Sequence, residues 1–283
     1  MTGTPASLEF SSPAWEARFT SAGLGSLEAL WNLEADEVEP GNVRRGGWSA
    51  VVRFTLDDGG AFYLKRQQGH GYRRTRPPFE RRPTVAREWD AVRQLAGTDI
   101  GVAEPVCLGV AGERGLLVSV ALDDWTPLPE MLQNLLALND RRQQLIQSLA
   151  LEVRRIHGLG LRHNCLYGHH ILVREEASAG AGQGNDGTAG SFSFSFIDLE
   201  KATATRRWAR AAIADLSALE RHTDDLSHRD RQWFWDSYFR TEPLEQRRRI
   251  LKVLTRRTAD RGVDQYIRDC RSGRRGEDAK GPA

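Results

Sequence analysis

A charge in an apolar setting constrains this chain more than any other feature. Residues 84–96 follow Pro83 and read as an amphipathic helix with Thr84 as its N-cap. At ~100° per residue, Val85, Trp89, Val92, Leu95 and Ala96 line one apolar face, and Glu88 falls inside the same arc. Burying an unpaired carboxylate is costly, so Glu88 needs a partner. Lys65 is the candidate. It ends the run Ala61-Phe62-Tyr63-Leu64-Lys65, which reads as a strand paired with Ala50-Val51-Val52-Arg53-Phe54 across the hairpin signal Asp57-Asp58-Gly59-Gly60.

The rest of the first half is sheet-rich. Residues 1–13, rich in Ser, Thr and Pro, read as a frayed arm, and Trp15 to about Asn32 as a short helix or covering segment. Strands are expected near Val106–Val110 and Leu116–Leu122. The second half begins with a helix over 141–157, where Leu145, Ile146, Leu149, Val153 and Ile156 form one stripe. A polar, histidine-rich turn follows, then the short strand Ile171-Leu172-Val173. Residues 177–190 hold no core-forming side chains and read as a flexible insert. Ser191-Phe192-Ser193-Phe194-Ser195-Phe196 alternates strictly, as a strand with one greasy face does, and runs into Ile197-Asp198. From Arg206 to about Cys270 the pattern is helical, and the last dozen residues are a solvated tail. The class is α+β.

Composition excludes little but narrows the setting. A formal charge of +2 does not by itself point to nucleic acid, and 28% charged with 40% hydrophobic residues is ordinary for a globular protein. Cys107, Cys165 and Cys270 are odd in number, widely spaced and in no metal-ligand pattern, which fits a reducing compartment. The N-terminus lacks a basic-then-apolar secretory pattern, and no apolar run approaches the ~20 residues of a membrane span. The expected location is the cytoplasm, with contact at a membrane surface left open.

Three stretches carry chemistry. They are the strand ending in Lys65, the turn His157-Gly158-Leu159-Gly160-Leu161-Arg162-His163-Asn164 through His170-Ile171-Leu172-Val173, and the strand ending Phe196-Ile197-Asp198-Leu199-Glu200. A lysine to grip phosphate, a polar loop to place the attacking group and an acid to hold a metal make a phosphoryl-transfer site. Arg45-Gly46-Gly47-Trp48-Ser49-Ala50 adds paired glycines. They either let backbone N–H groups approach phosphate oxygens or simply turn a hairpin.

These motifs resemble the eukaryotic-type protein-kinase fold, and more closely the bacterial lipopolysaccharide kinase family that phosphorylates core heptose sugars. His163-Asn164-Cys165-Leu166-Tyr167-Gly168-His169-His170-Ile171 with Ile197-Asp198-Leu199-Glu200-Lys201 looks most like its InaA-type branch. The resemblance spans roughly residues 40–240. It implies a bilobal protein-kinase-like fold: an N-terminal arm and covering segment over 1–40, and a small antiparallel-sheet lobe with one main helix over 41–125. A mostly helical lobe follows over 126–270, with the insert 177–190, and then a disordered tail over 271–283.

The resemblance also implies roles. Lys65, paired with Glu88, would contact the phosphates of ATP, with Gly46 and Gly47 nearby. Asp198 stands where kinases hold Mg²⁺, and Leu199-Glu200 replaces the usual Phe-Gly. The second metal ligand would be a histidine, His170 rather than His169 because His170-Ile171-Leu172 matches the ligand followed by two apolar residues. Asn164 occupies the position of the catalytic Asp and cannot take a proton. His163 beside it either serves as a base, with an unperturbed pKa of ~6.5, or hydrogen-bonds within the loop. Asp215 would fix the catalytic loop from a following helix, the alternative being an exposed surface acid.

Two further features bear on partners. Arg73, Arg74, Arg76, Arg81 and Arg82 could pair with phosphates or carboxylates of lipopolysaccharide core, or form a solvated basic loop. Trp233, Phe234, Trp235, Tyr238 and Phe239 at helical spacing read mainly as core. The leading expectation is an ATP- and Mg²⁺-dependent kinase of a core heptose at the inner face of the inner membrane. The alternative is a pseudokinase that binds nucleotide or glycolipid without turnover, motivated by Asn164. An RNA-binding module lacks any recognition motif.

Overall fold

Period-two alternation decides which face of the first sheet each side chain joins. The computed structural model describes residues 6–44, 46–73, 81–176 and 190–258. Arg45, the arginine-rich stretch 74–80, most of the expected insert (177–189), Cys270 and the expected tail 271–283 lie outside the described residues. Contacts divide the chain into two units: residues up to Asp124 together with Phe196–Ala202, and Trp125–Ser195 together with the residues from Thr203 onward.

In chain order the first unit contains β1 (Ser7–Phe10), α1 (Pro13–Ser21), α2 (Leu27–Trp31), β2 (Asp36–Arg44), β3 (Gly47–Thr55) and β4 (Ala61–Gln68). The small pair β5 (Gly71–Arg73) and β6 (Arg81–Pro83) leads into α3 (Thr84–Ala96), followed by β7 (Pro105–Ala111) and β8 (Arg114–Val120). Six strands form one antiparallel sheet in the order β1-β7-β8-β4-β3-β2. Along β4, Phe62 and Leu64 join a core with Phe19, Leu27, Leu30, Val52 and Phe54 beneath α1 and α2. Arg66 continues that face and donates to the carbonyls of Trp31 and Leu33 at 2.7 and 3.1 Å. The alternate residues Lys65 and Gln67 therefore belong to the opposite face, where α3 packs Val85, Ala86 and Trp89 against Leu108, Val110 and Leu117.

Three local expectations are corrected. Residues 7–10 are not a frayed arm: Ser7–Phe10 pair with Cys107–Val110, and Leu8 and Phe10 pack on the core beneath α1. Their alternation, short and interrupted by Ser11-Ser12-Pro13, gave a weak strand signal. Thr84 is the first helical residue and Pro83 the cap; the Thr84 hydroxyl is engaged elsewhere, donating to Gln67 Oε1 at 3.0 Å. The strand expected to reach Leu122 ends at Val120.

The second unit contains β9 (Thr126–Pro127), α4 (Leu128–Asn134), α5 (Asn139–Gly158), β10 (Leu161–Arg162), β11 (Ile171–Glu175) and β12 (Phe192–Phe196), whose last residue belongs to the first unit. After β13 (Thr203–Ala204) come α6 (Trp208–Arg221), α7 (His228–Tyr238) and α8 (Leu244–Thr258). β12, β11 and β9 form a three-stranded sheet, and β10 pairs with β13. Phe234, Trp235, Tyr238 and Phe239 are buried, so that aromatic run is core, while Trp233 is half-buried under the Arg229 guanidinium. No described helix is long and apolar enough to cross a membrane.

A buried ion pair joins α5 to the start of α7. Arg142 Nε and Nη2 reach the two carboxylate oxygens of Asp230 at 2.9 and 2.7 Å, and the guanidinium also donates to the carbonyls of Leu132 and Asp225. Asp230 in turn completes a capping box with Ser227. Burial pushes the Asp230 carboxyl up, but the Arg142 and Ser227 hydrogen bonds outweigh it and hold it below the usual carboxylate range. A carboxylate whose folded-state pKa is depressed stabilises the fold above its unfolded value of ~3.9, and that stability is lost as pH falls through the folded value. Arg142→Ala, which leaves Asp230 buried and unpaired, should cost about 3–5 kcal/mol in a urea melt at neutral pH. The gap to wild type should shrink as the melt is repeated below pH ~4.

Candidate functional site

Three carboxylates from two separate stretches of chain converge on one ammonium in the first unit. Because α3 turns once every 3.6 residues, Thr84 and Glu88 lie one above the other on the face toward β4. Lys65 Nζ lies 2.9 Å from Glu88 Oε2, 3.1 Å from Asp198 Oδ1 and 3.3 Å from Glu200 Oε2. The side chains are 19% (Lys65), 10% (Glu88), 26% (Asp198) and 24% (Glu200) exposed. Burial opposes the Lys65 charge, but Glu88, Asp198 and Glu200 outweigh it and raise its pKa well above the ordinary lysine value. Burial also pushes Glu88 up; Lys65 pulls it down, Asp198 and Glu200 push it further up, and the net shift is upward.

The backbone at the acid end is unusual. Asp198 has φ 57° and ψ 52°, a left-handed conformation, and opens the 3₁₀ turn Leu199–Lys201. Among the described residues, Asn164 (φ 68°) and Asp198 are the non-glycine positions with positive φ. Asn and Asp tolerate this region better than other non-glycine residues, and such conformations concentrate at functional sites. Phe196 N–H donates to Gly101 carbonyl at 3.0 Å and Val102 bridges Phe196 in parallel, which fixes where the strand delivers Asp198.

Gly46, at φ 78°, closes the β2–β3 hairpin, with Arg44 paired to Gly47. The hairpin tip folds onto the turn after β4: a Cβ on Gly69 would lie 3.1 Å from Gly47 Cα and 3.2 Å from the Gly46 carbonyl oxygen. Gly46 and Gly47 therefore lie at the tip of the β2–β3 hairpin.

In the second unit one buried carboxylate organises the histidine-rich turn. Asp215, on α6 and fully buried, accepts from the backbone N–H groups of His163 and Asn164, both at 2.7 Å. It also meets His157 Nε2 at 3.1 Å, and His157 Nδ1 meets the Tyr238 hydroxyl at 2.5 Å. Burial, above all, raises the Tyr238 pKa beyond its ordinary value. Asp215 is thus an internal anchor and not an exposed acid.

Asn164 Nδ2 donates to Thr203 Oγ1 at 3.1 Å. Cys165 N–H donates to His163 Nδ1 at 3.3 Å, so in neutral His163 the proton sits on Nε2. That ring is 1% exposed. His170 has the reverse arrangement: Nδ1 donates to the Cys165 carbonyl at 2.8 Å, which puts the lone pair on Nε2. A carbonyl partner of this kind commonly orients a metal-binding imidazole. Tyr167 stacks on His170 with ring centroids 5.1 Å apart, and His169 is exposed.

The structure thus brings Lys65, Glu88 and Asp198 together, and separately gathers His163, Asn164, His170 and Asp215 around the turn. Of the arginine cluster, Arg73 and Arg81 are exposed, Arg82 lies 3.7 Å from Asp90, and Arg74 and Arg76 are outside the described residues. Gln67 and Thr203 drew no role from the sequence, His157 only opened the histidine-rich turn, Thr84 was expected only as a helix cap, Tyr238 only as core, and Glu200 only as half of the pair replacing Phe-Gly. Glu200 carried a signal, since a second acid two positions after Asp198 on a tight turn can share its surroundings. For His157 the signal was its place next to Ile156 at the edge of the apolar stripe.

A family model described as "Lipopolysaccharide kinase (Kdo/WaaP) family" matches residues 28–238. The chain is 29% identical over 220 residues to "Protein InaA" of Escherichia coli (strain K12), covering 74% of this chain and 94% of that protein. A solved chain titled "WaaP in complex with acyl carrier protein" has a TM-score of 0.62 and 21% identity, covering 92% of this chain and 99% of that one. At this identity the likeness concerns the fold alone.

Asp215→Asn should test the anchor. An amide oxygen at this position keeps fewer acceptor sites for two N–H groups and an imidazole. Loss of one buried hydrogen bond predicts a stability loss of about 1–3 kcal/mol by chemical denaturation, with faster amide exchange at His163 and Asn164.

Proposed function

The chain belongs to the lipopolysaccharide kinase (Kdo/WaaP) family, and from that premise we propose that it transfers the γ-phosphoryl group of ATP to a heptose hydroxyl of lipopolysaccharide core. The observation that carries this reading is the Lys65 ammonium held between Glu88 of α3 and Asp198 at the end of β12. Phosphoryl transfer depends mainly on positioning and charge neutralisation. Lys65 supplies a fixed positive charge for phosphate oxygens, and Glu88 keeps it from swinging away.

Mg²⁺ fits the donor set. The group around Lys65 holds three carboxylates against one ammonium, and Mg²⁺ typically takes one or two carboxylates plus substrate phosphates in place of a full protein cage. Asp198 is the assigned ligand. His170 is the second ligand that the resemblance implies, and its own Nδ1 hydrogen bond to the Cys165 carbonyl puts the imidazole lone pair on Nε2. When bound, the ion would neutralise charge on the phosphates. For His163, burial and the Cys165 N–H on Nδ1 favour a loop-fastening role over that of a base.

A second reading, nucleotide or glycolipid binding without turnover, is favoured by one observation. At the position of the catalytic acid stands Asn164, whose amide donates to Thr203. The two readings separate experimentally. With ATP, Mg²⁺ and heptose-containing core, labelled phosphate should pass to the glycolipid, and Lys65→Ala and Asp198→Ala should each lower kcat roughly a hundredfold or more while remaining folded. Nucleotide binding with no transfer, in wild type and at any enzyme concentration, supports the second reading. Asn164→Asp restores an acceptor for the hydroxyl proton; in a slow enzyme it should raise kcat by about 10²-fold, read in the same label-transfer assay.

A further inference from the structure

We propose that Glu200 occupies the phosphate-binding position of Lys65 until nucleotide arrives, and so sets the affinity for ATP. This rests on the kinase reading above. A lysine ammonium has three N–H donors and no acceptor. Three carboxylate oxygens surround Lys65 Nζ, at 2.9, 3.1 and 3.3 Å. Glu88 and Asp198 accept hydrogen bonds from it, and the Glu200 oxygen, paired with it by charge, stands where a third acceptor would approach, so a phosphate oxygen reaches Lys65 there only if Glu200 withdraws.

Glu200 is the one built to withdraw. Its contact is the longest of the three. Glu88 is the least exposed of the carboxylates and belongs to a helix packed into the core. Asp198 reaches Lys65 on a one-methylene side chain from a left-handed backbone position, which leaves it little room to move. Glu200 has a longer side chain on a single 3₁₀ turn and two other partners at hand. The Thr84 hydroxyl lies 3.4 Å from Oε2, and Lys201 Nζ lies 3.9 Å from Oε1.

Thr84 is the partner that can take over. Its one hydroxyl proton also faces Gln67 Oε1 at 3.0 Å, and that amide is oriented by its own donation to the His70 carbonyl at 2.9 Å. The Thr84 proton can turn from Gln67 to Glu200 when Glu200 leaves Lys65. A phosphate oxygen then replaces one anionic acceptor with another at the same ammonium. Glu200 thereby acts as a positioning residue in the empty protein and as a competitor of the nucleotide.

The test is ATP affinity measured by calorimetry on the full chain, first in EDTA and then with Mg²⁺, for wild type, Glu200→Gln, Glu200→Asp and Glu88→Gln. Removing a partly exposed competing ion pair should tighten Mg²⁺-free ATP binding roughly three- to tenfold in Glu200→Gln. Glu200→Asp keeps the charge but falls a methylene short of Lys65, so it should also tighten binding; Glu88→Gln should weaken it. Unchanged or weaker binding of Mg²⁺-free ATP by Glu200→Gln, with its melting temperature preserved, overturns the inference. So does wild-type affinity in Glu200→Asp, which would make the effect one of net charge alone. Loss confined to the Mg²⁺ arm would mark Glu200 as a metal ligand and overturn it too. If wild type binds no ATP at all, the kinase reading itself falls and this inference with it. Binding that needs Lys65 but ignores Glu200 removes only the inference.

Discussion

The first unit is organised around the burden of keeping one lysine charged in a mostly buried place. An isolated ammonium there would lose its proton or draw in water. The chain meets this by supplying carboxylates from a helix and from a distant turn. The pleat of β4 selects the face, the turn period of α3 brings Glu88 to it, and a left-handed residue at the end of β12 delivers Asp198. Shifting β4 by one residue would move Lys65 to the side of Phe19 and Leu30 and bury an unpaired charge. The register of the sheet and the placement of the charge are one requirement.

A different economy governs the second unit. The turn between β10 and β11 contains little regular structure, yet its geometry is fixed by a single carboxylate. Asp215 takes two successive backbone N–H groups and an imidazole, with Tyr238 closing the chain of contacts from α7. A loop held from beneath by its main chain can vary its side chains without losing its course. This is why an asparagine can stand at position 164 while the surrounding loop keeps its shape.

Much of this was legible in the residues. The hairpin signal, the helix over 84–96 and the acid on its apolar face all depend on short-range periodicity, and Glu88 needs a cation whatever the fold. Lys65 and Asp198 could be linked only through motif resemblance, since 132 intervening residues carry no local sign of their meeting. What escaped notice was contact of another kind. Glu200 stood only as half of the pair replacing Phe-Gly, Thr84 as a helix cap, and His157 as the end of the helix over 141–157. Their roles come from neighbours that no local pattern announces. The first strand was missed for a related reason, because four residues carry too few alternations to stand out from a flexible arm.

That short strand has a wider significance. It covers one border of the six-stranded sheet, and β2 forms the other. The strand β1 is only four residues long, while β2 slips register twice along its length and carries a proline, Pro40, that offers no N–H. Neither margin presents a straight run of free backbone groups to a passing chain. A broad antiparallel sheet edged in this way offers little template for strand addition by another chain.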